Sequence, residues 1–256
     1  MTKLNDSKMI VVLLALLPAA SLADDYRVEV KGTFDRDMPD GDGPLGDPDT
    51  TTLSGTWYFA PVATDGVPLA EASFLGRASS LSAIAARFEV FGTHLNAQAA
   101  NVSYYIPGTM FYAGAGVSHQ QDVTAVNSTT VLKEYNSTWF GTVGVAPLDG
   151  LLVTTNFQEG GYDPNVTARY VGKLPNAHFY AGSVGVVDPD QGDRSFRLDF
   201  DYYLDESASL GIGYADGDDR LELRAEKFFS RSWAAGVSAY TADSSKGFGV
   251  HVTWRN

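Results

Sequence analysis

The chain has 256 residues, no cysteine and a formal net charge of −13. Nucleic acid is excluded as a partner, because its phosphates repel a chain this acidic. The lack of cysteine excludes a disulfide-stapled scaffold, so stability has to come from one large continuous sheet.

The N-terminus has the layout of a secretory signal peptide. Two lysines precede an apolar run over residues 9–17, and a small-residue site ends at Ala23. The alternative is a transmembrane anchor, but the run is much shorter than the roughly 20 residues that a spanning helix needs. We therefore predict cleavage after Ala23 and a single exported domain over residues 24–256. No other stretch is suited to a spanning helix.

The rest of the chain alternates apolar and polar side chains at period two, which is typical of a β-strand with one apolar face. The clearest case sets Phe196, Leu198 and Phe200 against Arg197 and Asp199. The predicted strands are 26–34, 51–59, 79–91, 94–105, 109–119, 132–146, 150–158, 165–173, 177–187, 194–204, 208–215, 219–229, 232–242 and 246–254.

Nothing in the chain is left over to cover these apolar faces, so lipid is their expected partner and water that of the polar faces. We predict an all-β fold, a single antiparallel up-and-down transmembrane β-barrel of about 14 strands. The strand boundaries are defined to within a few residues, so 12 to 16 strands are possible. Such barrels have an even number of strands, and an additional strand at 69–77 would make fifteen. We interpret 68–75 as a short helical or looped plug at the periplasmic rim.

The connections alternate between two sets, as an up-and-down barrel requires. The predicted outer loops are 35–50, 92–93, 120–131, 159–164, 188–193, 216–218 and 243–245, and the predicted periplasmic turns are 60–78, 106–108, 147–149, 174–176, 205–207 and 230–231. Aromatic residues gather at the periplasmic strand ends, as in a girdle at headgroup level. They include Trp57, Tyr104, Tyr105, Tyr202, Tyr203, Phe228, Phe229 and Trp233.

The polar faces predict a wet interior wall of mixed charge, with six basic and six acidic residues and therefore weak ion selectivity. The candidate pore-lining residues are Arg27, Glu29, Lys31, Arg87, Glu89, Arg169, Arg197, Asp199, Asp201, Glu222, Arg224 and Glu226. These charges either line an aqueous path or pair off and close the bore. About eight strands leave an interior filled by side chains and 16–18 leave a channel, and fourteen lies between.

Acidic residues concentrate in the predicted outer loops. Loop 35–50 carries six aspartates against Arg36 alone, and further aspartates lie in 188–193 and at 216–219. Such loops raise the local cation concentration or bind divalent ions. No stretch has the full spacing of a calcium loop, so we predict solvated loops and no metal site. His94 and His119 near outer strand ends keep open an enzyme of the outer-membrane protease or lipid-modifying type, but they belong to no catalytic motif.

With these features the chain resembles Gram-negative outer-membrane β-barrels, including the last segment Gly247–Trp254. Residues 58–61 and 68–75 further resemble proteins of the porin type. The class usually ends on an aromatic residue that the barrel-assembly machinery reads, whereas here Arg255 and Asn256 follow Trp254.

The resemblance implies a cell outer-membrane channel, not an enzyme, through which small polar solutes or ions diffuse without a cofactor. Its implied partners are the lipid bilayer, lipopolysaccharide and the assembly machinery. The alternative is a closed barrel whose acidic loops bind a polymer, divalent cations or another envelope protein.

Overall fold

The computed structural model describes residues 25–40, 47–90, 93–125, 131–159, 161–176, 178–187 and 194–256. The predicted signal peptide lies outside the described residues, and so do residues 41–46 and 188–193 of the predicted acidic loops.

The described chain forms fourteen strands and one short helical segment. The strands are β1 (Tyr26–Pro39), β2 (Asp49–Val62), β3 (Ser80–Val90), β4 (Thr93–Tyr105), β5 (Phe111–Ala125), β6 (Val131–Val145), β7 (Leu151–Gln158), β8 (Gly161–Lys173), β9 (Phe179–Val187), β10 (Ser195–Asp205), β11 (Ala208–Ala215), β12 (Arg220–Ser230), β13 (Trp233–Thr241) and β14 (Ser245–Arg255). Between β2 and β3 lie a 3₁₀ turn (Leu69–Glu71) and helix α1 (Ala72–Leu75). Neither helix in the described part of the chain has the length and apolar character needed to cross a membrane.

The strands form one closed barrel in which each strand pairs antiparallel with its neighbours in sequence and β1 pairs with β14. Asn256 completes the seam, because its carbonyl accepts hydrogen bonds from the backbone N–H groups of Arg27 and Val28, both at 2.8 Å. The predicted all-β antiparallel barrel of fourteen strands is confirmed. The first residue of β1 and the last residue of β14 lie at the same end of the barrel, as an even number of antiparallel strands requires, and we call this the periplasmic end.

Several strands extend further outward than the sequence predicts. β1 continues to Pro39 and pairs with β2 up to Arg36, opposite Asp49, and these two side chains form an ion pair with Nε and Oδ1 2.7 Å apart. β5 likewise continues to Ala125 and pairs with β6. Loops 35–50 and 120–131 are therefore shorter than predicted, and Asp35 and Asp37 belong to the barrel wall.

The short helical segment identifies the inner face of the barrel. It contacts Tyr58 on β2, Arg169 on β8, Tyr203 on β10 and Arg255 on β14. A segment reached from so many sides of a closed sheet must lie inside it. Side chains in phase with these four residues therefore face the interior, and the alternate set faces outward.

The outward set is apolar and exposed, which is the arrangement expected of a wall in contact with hydrocarbon. Its members include Trp57, Val102, Val117, Val143, Val166, Val184, Leu198, Phe200, Leu210, Ile212, Leu221, Leu223, Val237, Val250 and Val252. Leu223, with 59% of its surface exposed, shows how little protein covers this face.

Strand β3 has the opposite phase to the one predicted from sequence. Thr56 and Ser82 are paired, and their hydroxyl oxygens lie 3.0 Å apart on the inner face. The register continues without a shift, so Arg87 and Glu89 face outward, where they form an ion pair of 2.6 Å. Phe88 between them faces inward.

The periplasmic aromatic residues divide between the two faces. Doublets such as Tyr104–Tyr105, Tyr202–Tyr203 and Phe228–Phe229 place one ring on each side of the wall, because adjacent strand residues point in opposite directions. Phe229 is 74% exposed outside, whereas Phe228 is buried inside. The predicted girdle thus accounts for only half of each doublet, and several inner rings pack on the helical segment.

We expect Leu223→Arg to lower the free energy of unfolding in a phospholipid bilayer by about 2–4 kcal/mol, the cost of a guanidinium near the bilayer midplane. Denaturant unfolding of the reconstituted protein measures it. The matched control is Thr52→Arg on the inner wall, which should cost much less. Equal losses for the two variants would contradict the assignment of faces.

Candidate functional site

The segment 69–75, which we call the plug, lies across the periplasmic side of the barrel interior. Apolar contacts seat it on rings of the inner face. Ala72 packs with Tyr58, Leu69 packs with Phe228, and Phe74 and Leu75 pack on the cluster that contains Tyr203. This agrees with the helical or looped plug predicted at 68–75.

A buried carboxylate is the principal polar anchor of the plug. Glu71 is only 2% exposed, and its two carboxylate oxygens lie 2.6 and 2.7 Å from a guanidinium nitrogen of Arg169. The Tyr203 hydroxyl also donates to Glu71. Burial raises the pKa of Glu71, and the positive charge of Arg169 and the hydroxyl partly offset this. The anchor therefore joins the plug to β8 and β10 at once.

Arg255 is the second anchor and is 5% exposed. Its Nε lies 2.6 Å from a carboxylate oxygen of Glu29, and its Nη1 donates to the carbonyl of Leu69 at 2.7 Å. The guanidinium carbon lies 4.5 Å from the ring centre of Tyr26 and 4.6 Å from that of Phe228. A cation between two rings is favourable where water is excluded, so the residue after the last aromatic of the chain has a defined structural role.

The chain that leads into the plug is tied to the opposite wall. Arg231, in the turn between β12 and β13, donates to the hydroxyl of Thr64 at 3.2 Å and to Asp65 at 3.0 Å. The backbone N–H of Leu69 donates to the carbonyl of Glu206 at 2.7 Å. The segment therefore crosses the periplasmic opening instead of hanging below it.

Above the plug, a network of ion pairs connects β10 and β12. Arg224 lies 2.7 Å from Asp199 and 3.3 Å from Asp201, and Arg197 lies 2.9 Å from Asp199. Gly211 and Gly213 lie between these strands on the inner face, where a Cβ atom would collide with Asp201, Asp199 and Arg224. The small residues on β11 therefore make room for the charged side chains to lie along the wall.

These groups surround a polar cavity of about 390 Å³, lined by Lys31, Asp35, Glu71, Arg169, Asp201, Tyr203, Glu222, Arg224, Glu226 and His251 among others. Where β12, β13 and β14 line the cavity, the Nε2 atom of His251 on β14 lies 3.0 Å from a carboxylate oxygen of Glu226 on β12. The cavity extends from β1 to β8 through the seam of the barrel.

The rest of the wall consists of β2 to β7. Its inward-facing strand residues are uncharged from residue 50 to residue 120 and from residue 136 to residue 158. Thr, Ser, Asn, Ala and Gly dominate there, with a few larger apolar residues. Among the side chains that the structure describes, the interior is therefore charged on one side and neutral on the other.

Nine of the twelve sequence-predicted candidates are on the inner face: Glu29, Lys31, Arg169, Arg197, Asp199, Asp201, Glu222, Arg224 and Glu226. Arg87 and Glu89 are not, because the pairing with β2 turns them outward. Arg27 is exposed beside an irregularity between Tyr26 and Val28 and lies outside the ion-pair groups.

Among the described residues, six charged side chains of the inner face were not among the candidates: Asp35, Asp37, Glu71, Lys173, Arg220 and Arg255. Lys173 and Arg220 lie within the predicted strands 165–173 and 219–229, in their inward phase. Extending the predicted strands 26–34 and 246–254 by a few residues would have found Asp35, Asp37 and Arg255. Glu71 has no such signal, since an acidic residue in a turn is usually solvated. In the part of the chain that the structure describes, no three His, Asp or Glu side chains are grouped so as to hold a metal ion.

No family model matches the chain, and no curated protein matches its sequence. Among solved structures, the crystal structure of the Acinetobacter baumannii outer membrane protein Omp33 is similar, with a TM-score of 0.73 and 20% identity, over 91% of this chain and 99% of that one. The fold is that of an outer-membrane β-barrel. The CymD monoaromatic hydrocarbon channel is also similar, with a TM-score of 0.55 and 8% identity, over 91% of this chain and 89% of that one.

We expect Arg169→Gln to loosen the plug, because it leaves the buried Glu71 carboxylate without its cation. Backbone amide hydrogen exchange in 69–75 should become at least about tenfold faster, as measured by mass spectrometry of the folded protein. Arg87→Gln on the outer face is the control and should leave these amides unchanged. Unaltered exchange in the Arg169 variant would contradict the anchoring role.

Proposed function

We propose that this protein is a porin-like channel of the outer membrane, through which small polar solutes or ions diffuse passively. The observation that carries the proposal is that the charged side chains of β8, β10, β12 and β1 face a polar cavity instead of a packed apolar core. The shared fold with Omp33 and with CymD, the latter described as a channel, supports it.

The charges of the interior favour cations slightly. Among the described residues, the inner face and the plug carry seven basic side chains and eight acidic ones. The basic ones are Lys31, Arg169, Lys173, Arg197, Arg220, Arg224 and Arg255, and the acidic ones are Glu29, Asp35, Asp37, Glu71, Asp199, Asp201, Glu222 and Glu226. An excess of one carboxylate attracts cations weakly, because most of the charges are paired and their fields partly cancel.

The plug lies across this path. Its seat consists of a few rings and two charged anchors, whereas the wall consists of continuous strand pairing. We propose that the plug limits conductance and that loosening it widens the periplasmic exit without unfolding the barrel.

We expect the purified full chain to give stepwise current in a planar bilayer in KCl, and Arg169→Gln to raise the open-state conductance at least about twofold, because the plug loses an anchor. Arg87→Gln should conduct like the unmodified protein.

Folding is checked first by the heat-dependent gel mobility typical of such barrels. If the folded protein and the folded Arg169 variant both give no current, the channel proposal is overturned.

The second candidate is a closed barrel whose acidic outer loops bind a partner such as a polymer, divalent cations or an envelope protein. The firm seating of the plug by Glu71 and Arg255 favours it. Silent bilayers, together with a Ca²⁺-dependent rise in thermal stability, would support this function in place of the channel.

We further propose export by cleavage after Ala23 and insertion by the barrel-assembly machinery, with lipopolysaccharide as a neighbour of the outward face. The exposed apolar band supports a lipid environment.

The two histidines considered for catalysis support a non-enzymatic protein. By register His94 and His119 lie on the outward phase of β4 and β5. The Nδ1 atom of His119 lies 2.9 Å from the Ser137 hydroxyl, and its ring stacks on Tyr135. No carboxylate in the described part of the chain orients this imidazole, as a catalytic triad would need. A hydrolysis assay on lipid and peptide substrates tests the enzyme alternative.

A further inference from the structure

The inner wall changes from charged to apolar across three neighbouring strands. In one row of the register Asp35 on β1 pairs with Thr50 on β2, which pairs with Phe88 on β3. In a second row Lys31, Ser54 and Ile84 occupy the same three strands. Since neighbouring strands lie about 4.8 Å apart, roughly 10 Å separates the charged end of each row from its apolar end. That is the length of a small organic molecule.

The apolar end of these rows is open to the interior. Phe88 is 39% exposed and Ile84 is 43% exposed, and both point to the same side of the wall as Ser82. Within the described residues, neither belongs to the clusters that seat the plug. Apolar surface that faces water inside a pathway is covered favourably by an apolar part of a solute.

The charged end carries Asp35, a carboxylate that lines the polar cavity and lies outside the ion pairs of the described residues. The guanidinium of Arg220 also acts on Asp35, but it is itself paired with Glu222 at 3.3 Å. Two more acidic residues, Glu222 and Glu226 on β12, also line this cavity. Lys31 is the cation of the second row, which the row of Thr33 separates from that of Asp35. The local charge therefore favours a positively charged group placed at Asp35 rather than at Lys31.

We propose that the pathway prefers small organic cations that carry an apolar group, with the cationic end at Asp35 and the apolar end on Phe88, and with Ile84 as a second apolar contact further along the pathway. This inference rests on the proposed channel function and adds the class of solute. The uncharged hydroxyls of Thr50 and Ser54 lie between the two ends and suit the polar or aliphatic middle of such a solute.

Three probe ions separate this preference from simple charge or size selection. Phenethylammonium has both features, ethanolammonium has the charge without the ring, and phenylacetate has the ring with the opposite charge. Their permeabilities relative to K⁺ are obtained from reversal potentials of the reconstituted full chain. We expect the permeability of phenethylammonium to exceed that of ethanolammonium by about threefold or more, although phenethylammonium is the larger ion. The reason is that its ring is partly removed from water in the pathway.

The variants assign the effect to the two ends. Phe88→Ser should abolish the advantage of phenethylammonium over ethanolammonium, and Ile84→Ser, as a second variant, should reduce it. Asp35→Asn should lower the permeability of both cations relative to that of phenylacetate by about twofold to threefold. Arg87→Gln and Glu89→Gln, on the outer face beside Phe88, are matched controls and should change none of the ratios.

The possible failures are distinct. If the folded protein conducts K⁺ but passes the three ions in order of size, or if Phe88→Ser and Ile84→Ser leave the ratio unchanged, the solute preference is overturned and the channel stands. If the folded protein conducts nothing, both proposals fall.

Discussion

The closure of β1 on β14 is the constraint on which the rest of the structure depends. In hydrocarbon each backbone N–H and C=O group needs a partner within the protein, and a closed antiparallel sheet provides one for every strand. Asn256 extends this pairing to the last residue by bonding Arg27 and Val28. Closure also fixes two faces of opposite chemistry, because alternate side chains must meet either lipid or the interior.

The interior is organised by charge instead of by apolar packing. Buried ion pairs contribute little net stability, but removing one partner is costly, so such pairs fix geometry more than they add free energy. Glu71 and Arg255 fix the plug in this way, each by joining it to separate parts of the wall. The charged side chains of β10 and β12 lie along the wall over Gly211 and Gly213, which leaves space in the interior.

Sequence alone predicted the strand number, the antiparallel barrel and the inward charges of β10 and β12, since period-two alternation there is strong on both faces. It failed on β3, because Ile84 and Phe88 resemble a lipid-facing pair although their register with Ser54 and Thr50 turns that phase inward. It also missed Glu71 and the inner halves of the aromatic doublets. These depend on contacts of the plug with distant strands, which no local pattern records.

The most direct test of the two-faced wall uses the absence of cysteine from the chain. Single cysteines introduced in turn at residues 221–226 of β12 would be exposed to a small water-soluble thiol reagent in the bilayer-inserted protein. We expect labelling to alternate, with positions 222, 224 and 226 reacting and 221, 223 and 225 protected by lipid. Uniform labelling, or alternation in the opposite phase, would contradict it.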